Sequence, residues 1–416
     1  MTTQSAEASP RTKRIRDVRL DFFRGLGMFI ILIAHITDNP WTLYIPARFG
    51  FSDATEIFVF CSGMASAIAF GTVFSKAGFW LGTFRVVHRI WQVYWVHIGA
   101  FLFTVAVILI INKTGLVGRD EVSMLNLQPF LRPHGNNIIG LFTLTYVPNY
   151  FDILPMYLVI LALLPVVYGL SRIHAYVALA FCVGLWAFAT LTSLNLPAEL
   201  WFANNSKRQW FFNPFAWQLI FFTGFAFMSG WLPRPPVNRW LVALAIAVMV
   251  VTIPFAWHVI IAESAWIKAL RGAWRILIDK TDFGLLRYVH FLALAYLAWV
   301  VVGPNGQHLT STPIMRVATA VFTRVGRQSL AVFAASIVLA RVLGAVLFAL
   351  GGGAGAAFFV NLLGFATIFL VAWLADIAKS EPWKKAAQKQ VADNASPGME
   401  DQPSKPERPK LVVVNQ

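Results

Sequence analysis

A chain of 416 residues in which 58% are hydrophobic and only 13% charged is too apolar for a water-soluble fold, where about a quarter of the residues carry charge. Its solvent is mostly lipid, so the length implies one helical membrane domain rather than two or three soluble ones. The net charge of +15 belongs to Lys and Arg flanking apolar runs, which set topology and touch anionic headgroups, and it does not indicate nucleic acid.

The chain opens on a basic tail, residues 1–19, containing Arg11, Lys13, Arg14 and Arg16. The tail runs into an apolar segment with no small-residue cleavage site and reads as an uncleaved anchor. Segments long enough to cross about 30 Å of hydrocarbon are predicted at 20–38, 53–74, 86–111, 151–170, 175–194, 214–232, 240–260, 287–303, 328–350 and 357–378. The expected fold is therefore an all-α, polytopic bundle of about ten transmembrane helices within 20–378. A polar tail, 379–416, with Ser396-Pro397-Gly398 follows and has too little apolar surface to fold.

With the N-terminus inside, the inner connections carry Lys76, Arg85, Arg89, Arg172, Arg234, Arg239, Arg316, Arg324 and Arg327. Both termini are then cytoplasmic. The outer connection 261–286 breaks this rule with Lys268, Arg271, Arg275 and Lys280. Lys268, Arg271 and Arg275 share one helical face while Trp266, Leu270, Ala273 and Leu277 occupy the other. That is the pattern of a helix lying in the membrane interface, and it also suits a basic rim for an anionic substrate. The longest outer loop, 112–150, contains the turn-rich Arg132-Pro133-His134-Gly135-Asn136-Asn137. Cys61 and Cys182 lie in separate apolar runs and indicate neither a disulfide nor a metal site.

Ionisable groups inside a membrane segment cost roughly 2.5–3.5 kcal/mol each, so each needs an explanation. On the first helix Asp21, Arg24, Met28, Ile31 and His35 follow three-and-four spacing and form one stripe, with Arg24 and His35 about 16 Å apart along the axis. Asp21 with Arg24 also reads as a local ion pair, and His35 as a bundle histidine with its bonds satisfied. The second segment begins Ser52-Asp53-Ala54-Thr55-Glu56, acids that suit a helix N-terminus. An acid there could also face His35 and hold its ring in one tautomer, as a general base requires. Ser62-Gly63 supplies small residues where two helices approach closely. Arg85, Arg89 and Gln92 share one face of the third helix, either snorkelling to headgroups or gripping phosphate. Asp152 opens the fourth helix, and His290, one turn after Arg287, begins the eighth. These groups suggest an outer cluster of His35, acids and His290, linked through the bundle to an inner arginine cluster.

The Arg24–His35 spacing, Arg85 with Arg89, and Phe58-Val59-Phe60-Cys61-Ser62-Gly63 resemble the membrane-bound acyltransferase family 3 superfamily. Leu20-Asp21-Phe22-Phe23-Arg24-Gly25, the 49–60 run around Asp53 and Glu56, Asp152-Ile153-Leu154-Pro155, the 210–218 run and the 287–295 run more closely resemble the OpgC type, associated with succinylation of osmoregulated periplasmic glucans. The resemblance implies an O-acyltransferase of the bacterial inner membrane. It would move an acyl group from cytoplasmic acyl-CoA, here succinyl-CoA, to glucan hydroxyls, with no tightly bound cofactor and with glucan-synthesis proteins as partners. It would place His35, Asp53 and Glu56 at the reaction, Arg24, Arg85 and Arg89 on the donor, and Asp21, Asp152, Arg287 and His290 in supporting positions. Arg48 and the 268–275 face are further candidates to bind the succinyl carboxylate or an anionic glucan. Two alternatives stand beside it: acetylation of another polysaccharide or lipid-linked glycan, and a proton-coupled transporter of an anionic substrate in which the stripe is a relay.

Overall fold

The structure, a computed structural model, describes residues 17–115, 117, 120–131, 136–199, 207–382 and 384. The basic residues Arg11 to Arg16, the Arg132 to Gly135 part of the outer turn and the tail around Ser396-Pro397-Gly398 lie outside the described residues.

The described residues form helices and no strand. Helix α1 (Val18–His35) begins at Asp17, whose carboxylate accepts the Arg19 backbone N–H, and ends where Ile36 becomes extended. Two short 3-10 turns, Pro40–Tyr44 and Pro46–Arg48, lead to α2 (Ala54–Ser66). The Asp53 side chain caps the start of α2 while Glu56 reaches back to the Asp53 backbone N–H at 2.8 Å, a reciprocal capping box. A π turn over Ala67–Gly71 and a last helical stretch, Thr72–Ala77, extend α2 into a 24-residue span. Gly78, at φ 88°, reverses the chain into α3 (Phe79–Thr114).

The succeeding long helices are α4 (Ile153–Ser171), α5 (Ala175–Thr192), α6 (Pro214–Ser229) and α7 (Arg239–Ala256). Then come the short α8 (Ala265–Ala273), α9 (Leu285–Val302), α10 (Pro313–Arg327), α11 (Ser329–Ala349) and α12 (Ala354–Ser380). Among the described residues, eight helices are long and apolar enough to cross a membrane. The two other expected segments are helical but fall short of that standard: α1 carries Arg19, Asp21 and Arg24, and α6 has 16 residues. The amphipathic α10 corrects the sequence reading, which treats its residues as a connection because Arg316, Arg324 and Arg327 interrupt its apolar face. Its Phe322 ring packs edge-on against Phe22 and Phe29 of α1. The helix expected across Trp266 to Leu277 breaks at Trp274 into α8 and a single turn, Arg275–Ile278, and its facing differs from the expected one: Ile267 is buried and Trp266 exposed, while Arg271 turns inward to the Phe255 carbonyl.

The core gathers around α1, where Met28, Ile31 and Leu32 are buried. The α2–α6 crossing confirms the expectation for Ser62-Gly63. A Cβ on Gly63 would lie 1.9 Å from the Phe221 carbonyl oxygen, and one on Gly224 would lie 2.3 Å from that of Phe60, so both helices must present glycine for the backbones to meet. Residues 374–416 form a separate unit, described only through the last turn of α12 and the Glu381–Lys384 ion pair at 2.9 Å.

Candidate functional site

At the end of α1, His35 lines a cavity of about 550 Å³ together with Asp53, Tyr150, Asp152, Arg208 and Lys280. Its Nδ1 lies 2.6 Å from the Ile31 carbonyl oxygen one turn back. A carbonyl oxygen can only accept, so Nδ1 carries a hydrogen, and in the neutral ring Nε2 keeps its lone pair. Nε2 makes no hydrogen bond to any described residue. The half-buried ring therefore presents a proton acceptor in a cavity, with its tautomer set from behind by the helix backbone. The expected carboxylate partner is not what sets it.

The acids instead build the wall beside this cavity. Asp53 pairs with Lys280, whose ammonium also lies 5.6 Å from the Phe212 ring centroid. Glu56 is fully buried and accepts from Arg287 Nη1 at 2.7 Å. The connection therefore runs from Lys280 through Asp53 and Glu56 to Arg287, joining the start of α2 to α9 and the loop before it. His290 stands apart from His35: its Nδ1 accepts the Ser52 backbone N–H at 3.3 Å and lies 2.7 Å from Ser52 Oγ. It leaves no room beside Gly50, where a Cβ would come within 2.0 Å of Nε2. The expected outer cluster thus divides in two: His35, Asp53 and Asp152 share the cavity, while Glu56, Arg287 and His290 stabilise its scaffold. Asp152 accepts the Phe211 backbone N–H at 3.0 Å, tying the 207–213 segment to the start of α4. Next to the lining residues Phe212 and Thr281, Asp282 accepts from Asn213 Nδ2 at 2.8 Å; burial, with Asp279 nearby, holds its carboxyl above the usual carboxylate range.

Toward the other end of α1, Arg24, Arg85 and Arg89 line one cavity of about 970 Å³, at the upper end of the roughly 300–1,000 Å³ typical of small-molecule sites. Asp21, the hydroxyls of Ser66 and Thr72, and the π turn of α2 complete this wall. Arg24 donates to Ser329 Oγ at the start of α11. Asp21 is buried and lies 3.5 Å from Arg327 Nε of α10, so its counter-ion comes from the helix the sequence reading omitted. Arg89 donates to Gln92 at 3.2 Å, so these two share one face as expected. Among the described residues, none lines both cavities.

Three contributors escape a sequence reading. Arg341, buried in α11, donates to the His35 carbonyl oxygen and stacks over Tyr150 at 4.8 Å. Tyr150 meets the His35 ring edge-on at 5.4 Å between centroids. Lys280, counted among surface charges by pattern, faces Asp53. A buried arginine in an apolar run was the available signal for Arg341, since its cost in a membrane segment demands a partner.

No curated protein and no solved structure matches the chain. The family model described as OpgC protein matches residues 16–380, and the chain belongs to that family.

Proposed function

We propose that the protein is an inner-membrane O-acyltransferase that carries an acyl group, succinyl by preference, from cytoplasmic acyl-CoA to hydroxyls of an osmoregulated periplasmic glucan. Membership of the OpgC family supports acyl transfer connected with such glucans. The observation that carries the assignment of roles is the pair of cavities at opposite ends of one helix, with Arg24, Arg85 and Arg89 in one and His35 in the other.

Three guanidinium groups suit the phosphates of CoA, which they bind through charge-assisted hydrogen bonds. The pantetheine arm then extends along the Met28–Ile31 side of α1 toward His35. A glucan hydroxyl is a weak nucleophile until it loses its proton, and His35 Nε2 is oriented to accept it. The hydroxyl oxygen attacks the thioester carbonyl carbon, the C–S bond breaks, and the CoA thiolate leaves and recovers the proton from His35. Tyr150 packs edge-on against the ring, and Arg341, stacked over Tyr150, holds the His35 backbone through its carbonyl oxygen. Both termini are cytoplasmic in this reading, and glucan-synthesis proteins supply the acceptor.

The test is acylation measured by mass spectrometry of periplasmic glucans, with donor kinetics in membrane vesicles. His35→Ala should remove the acylated species, with turnover reduced about 10²–10⁴-fold, and should leave the apparent donor KM unchanged. Arg85→Gln should raise that KM. Normal glucan acylation by a correctly inserted His35→Ala protein would end the catalytic assignment.

A further inference from the structure

A third cavity, of about 350 Å³, opens beside the reaction cavity at the His35 end and takes no part in the chemistry above. Its wall contains Arg48, His258, Arg271 and Arg287, and no acidic residue. Arg287 is neutralised by Glu56. Arg48 and Arg271 are not: among the described residues Arg48 Nε donates to the Thr42 carbonyl at 3.2 Å and Arg271 to the Phe255 carbonyl. A guanidinium has five N–H donors in a rigid fork, so most of the donors on both groups remain available and both charges are uncompensated. Two cations held together without a counter-ion repel each other, and an anion between them removes that cost.

The position identifies the anion's source. Ala256, the last residue of α7, and Arg287, in the first turn of α9, both line the cavity, so it sits where two spans leave the apolar layer. Phe49, between the lining residues Arg48 and Gly50, and Trp257, between Ala256 and His258, are exposed, and their rings meet edge-on at 6.1 Å. Exposed aromatic rings at a span end mark the headgroup level of a bilayer. A soluble anion would have no use for this apolar collar, whereas a phospholipid fills both parts, acyl chains on the aromatic surface and phosphate between the arginines.

We propose that this cavity is a binding site for the phosphate of an anionic phospholipid headgroup, clamped by Arg48 and Arg271. The site accounts for a basic outer connection that topology alone disfavours: its charge is used on lipid.

The test titrates phosphatidylglycerol into the purified full-length protein in neutral detergent, with bound lipid counted by native mass spectrometry. Phosphatidylglycerol should bind more tightly than phosphatidylcholine, and the Arg48→Gln, Arg271→Gln double variant should weaken it by about tenfold or more. Lys268→Gln, a nearby exposed lysine outside the wall, should bind as the native chain does. If the double variant does not fold, Arg48→Gln alone serves, because it forgoes a single bond to a loop carbonyl. Equal binding by native chain and variant overturns the proposal. So does competition by glycerol 3-phosphate at concentrations matching the lipid, which would make the site one for soluble anions.

Discussion

Glu56→Gln separates two roles that the native side chain combines. Oε2 accepts the Asp53 backbone N–H at 2.8 Å and Oε1 accepts from Arg287 Nη1 at 2.7 Å, with the residue wholly buried. Glutamine serves in a capping box as well as glutamate, so its carbonyl oxygen keeps the bond to Asp53 and its NH₂ turns toward Arg287. Two donors then face each other, and a guanidinium about nine-tenths buried loses its counter-ion. Breaking a buried pair on one side costs about 3–5 kcal/mol, against about 0–1 kcal/mol for a surface pair. Arg287→Met should cost a similar amount by stranding the carboxylate. The double variant removes both charges and should cost less than the sum of the singles by about 2 kcal/mol or more. Unfolding free energies from SDS titration in mixed micelles, followed by tryptophan fluorescence, measure all three. Single losses below about 1 kcal/mol, or strict additivity, would refute the pair as the brace between α2 and α9.

Gly63→Ala should lower the melting temperature by forcing α2 from α6, since its Cβ meets a backbone oxygen at 1.9 Å; overpacking of this kind costs about 1–3 kcal/mol or more. Gly99→Ala on α3, where nothing lies within 4 Å, should be neutral or slightly stabilising in the same melt. Asp282→Asn should be more stable than the native protein at neutral pH. The folded carboxyl has a raised pKa, so the folded state binds the proton more tightly than the unfolded chain; that contribution is present in acid and is lost as pH rises through the folded pKa. The advantage of the variant, measured by unfolding across pH, should therefore shrink as pH falls and vanish below about 4. Asn361→Leu breaks the reciprocal amide pair with Asn39, at 2.9 and 3.0 Å, and strands a buried amide. A loss of about 1–3 kcal/mol in the same unfolding experiment is expected.

Hydropathy alone makes most of the bundle legible, because a membrane-crossing helix satisfies its own backbone within one continuous apolar run. It fails where a helix is defined by a partner. The polar stripe of α10 reads as a connection until Phe322 and Arg327 are seen against α1. The arginine cluster emerges from spacing because Arg24, Arg85 and Arg89 need only reach one cavity. The His35 environment was less accessible. Its ring is oriented by the Ile31 carbonyl, a backbone atom invisible to motif reading, and its own carbonyl is held by Arg341, 306 residues away in sequence. Asp53 and Glu56 stand out as acids, yet the cations that claim them, Lys280 and Arg287, lie more than two hundred residues further along the chain.

That none of the described residues lines both cavities bears on energy conservation. A membrane that stores a proton gradient loses it through any continuous column of water, and a protein serving substrates on both faces risks forming one. Here the stretch of α1 between Arg24 and His35 carries Met28 and Leu32, both fully buried and lining neither cavity. In the proposed reaction the donor's own arm joins the two compartments, and is therefore both the reagent and the stopper.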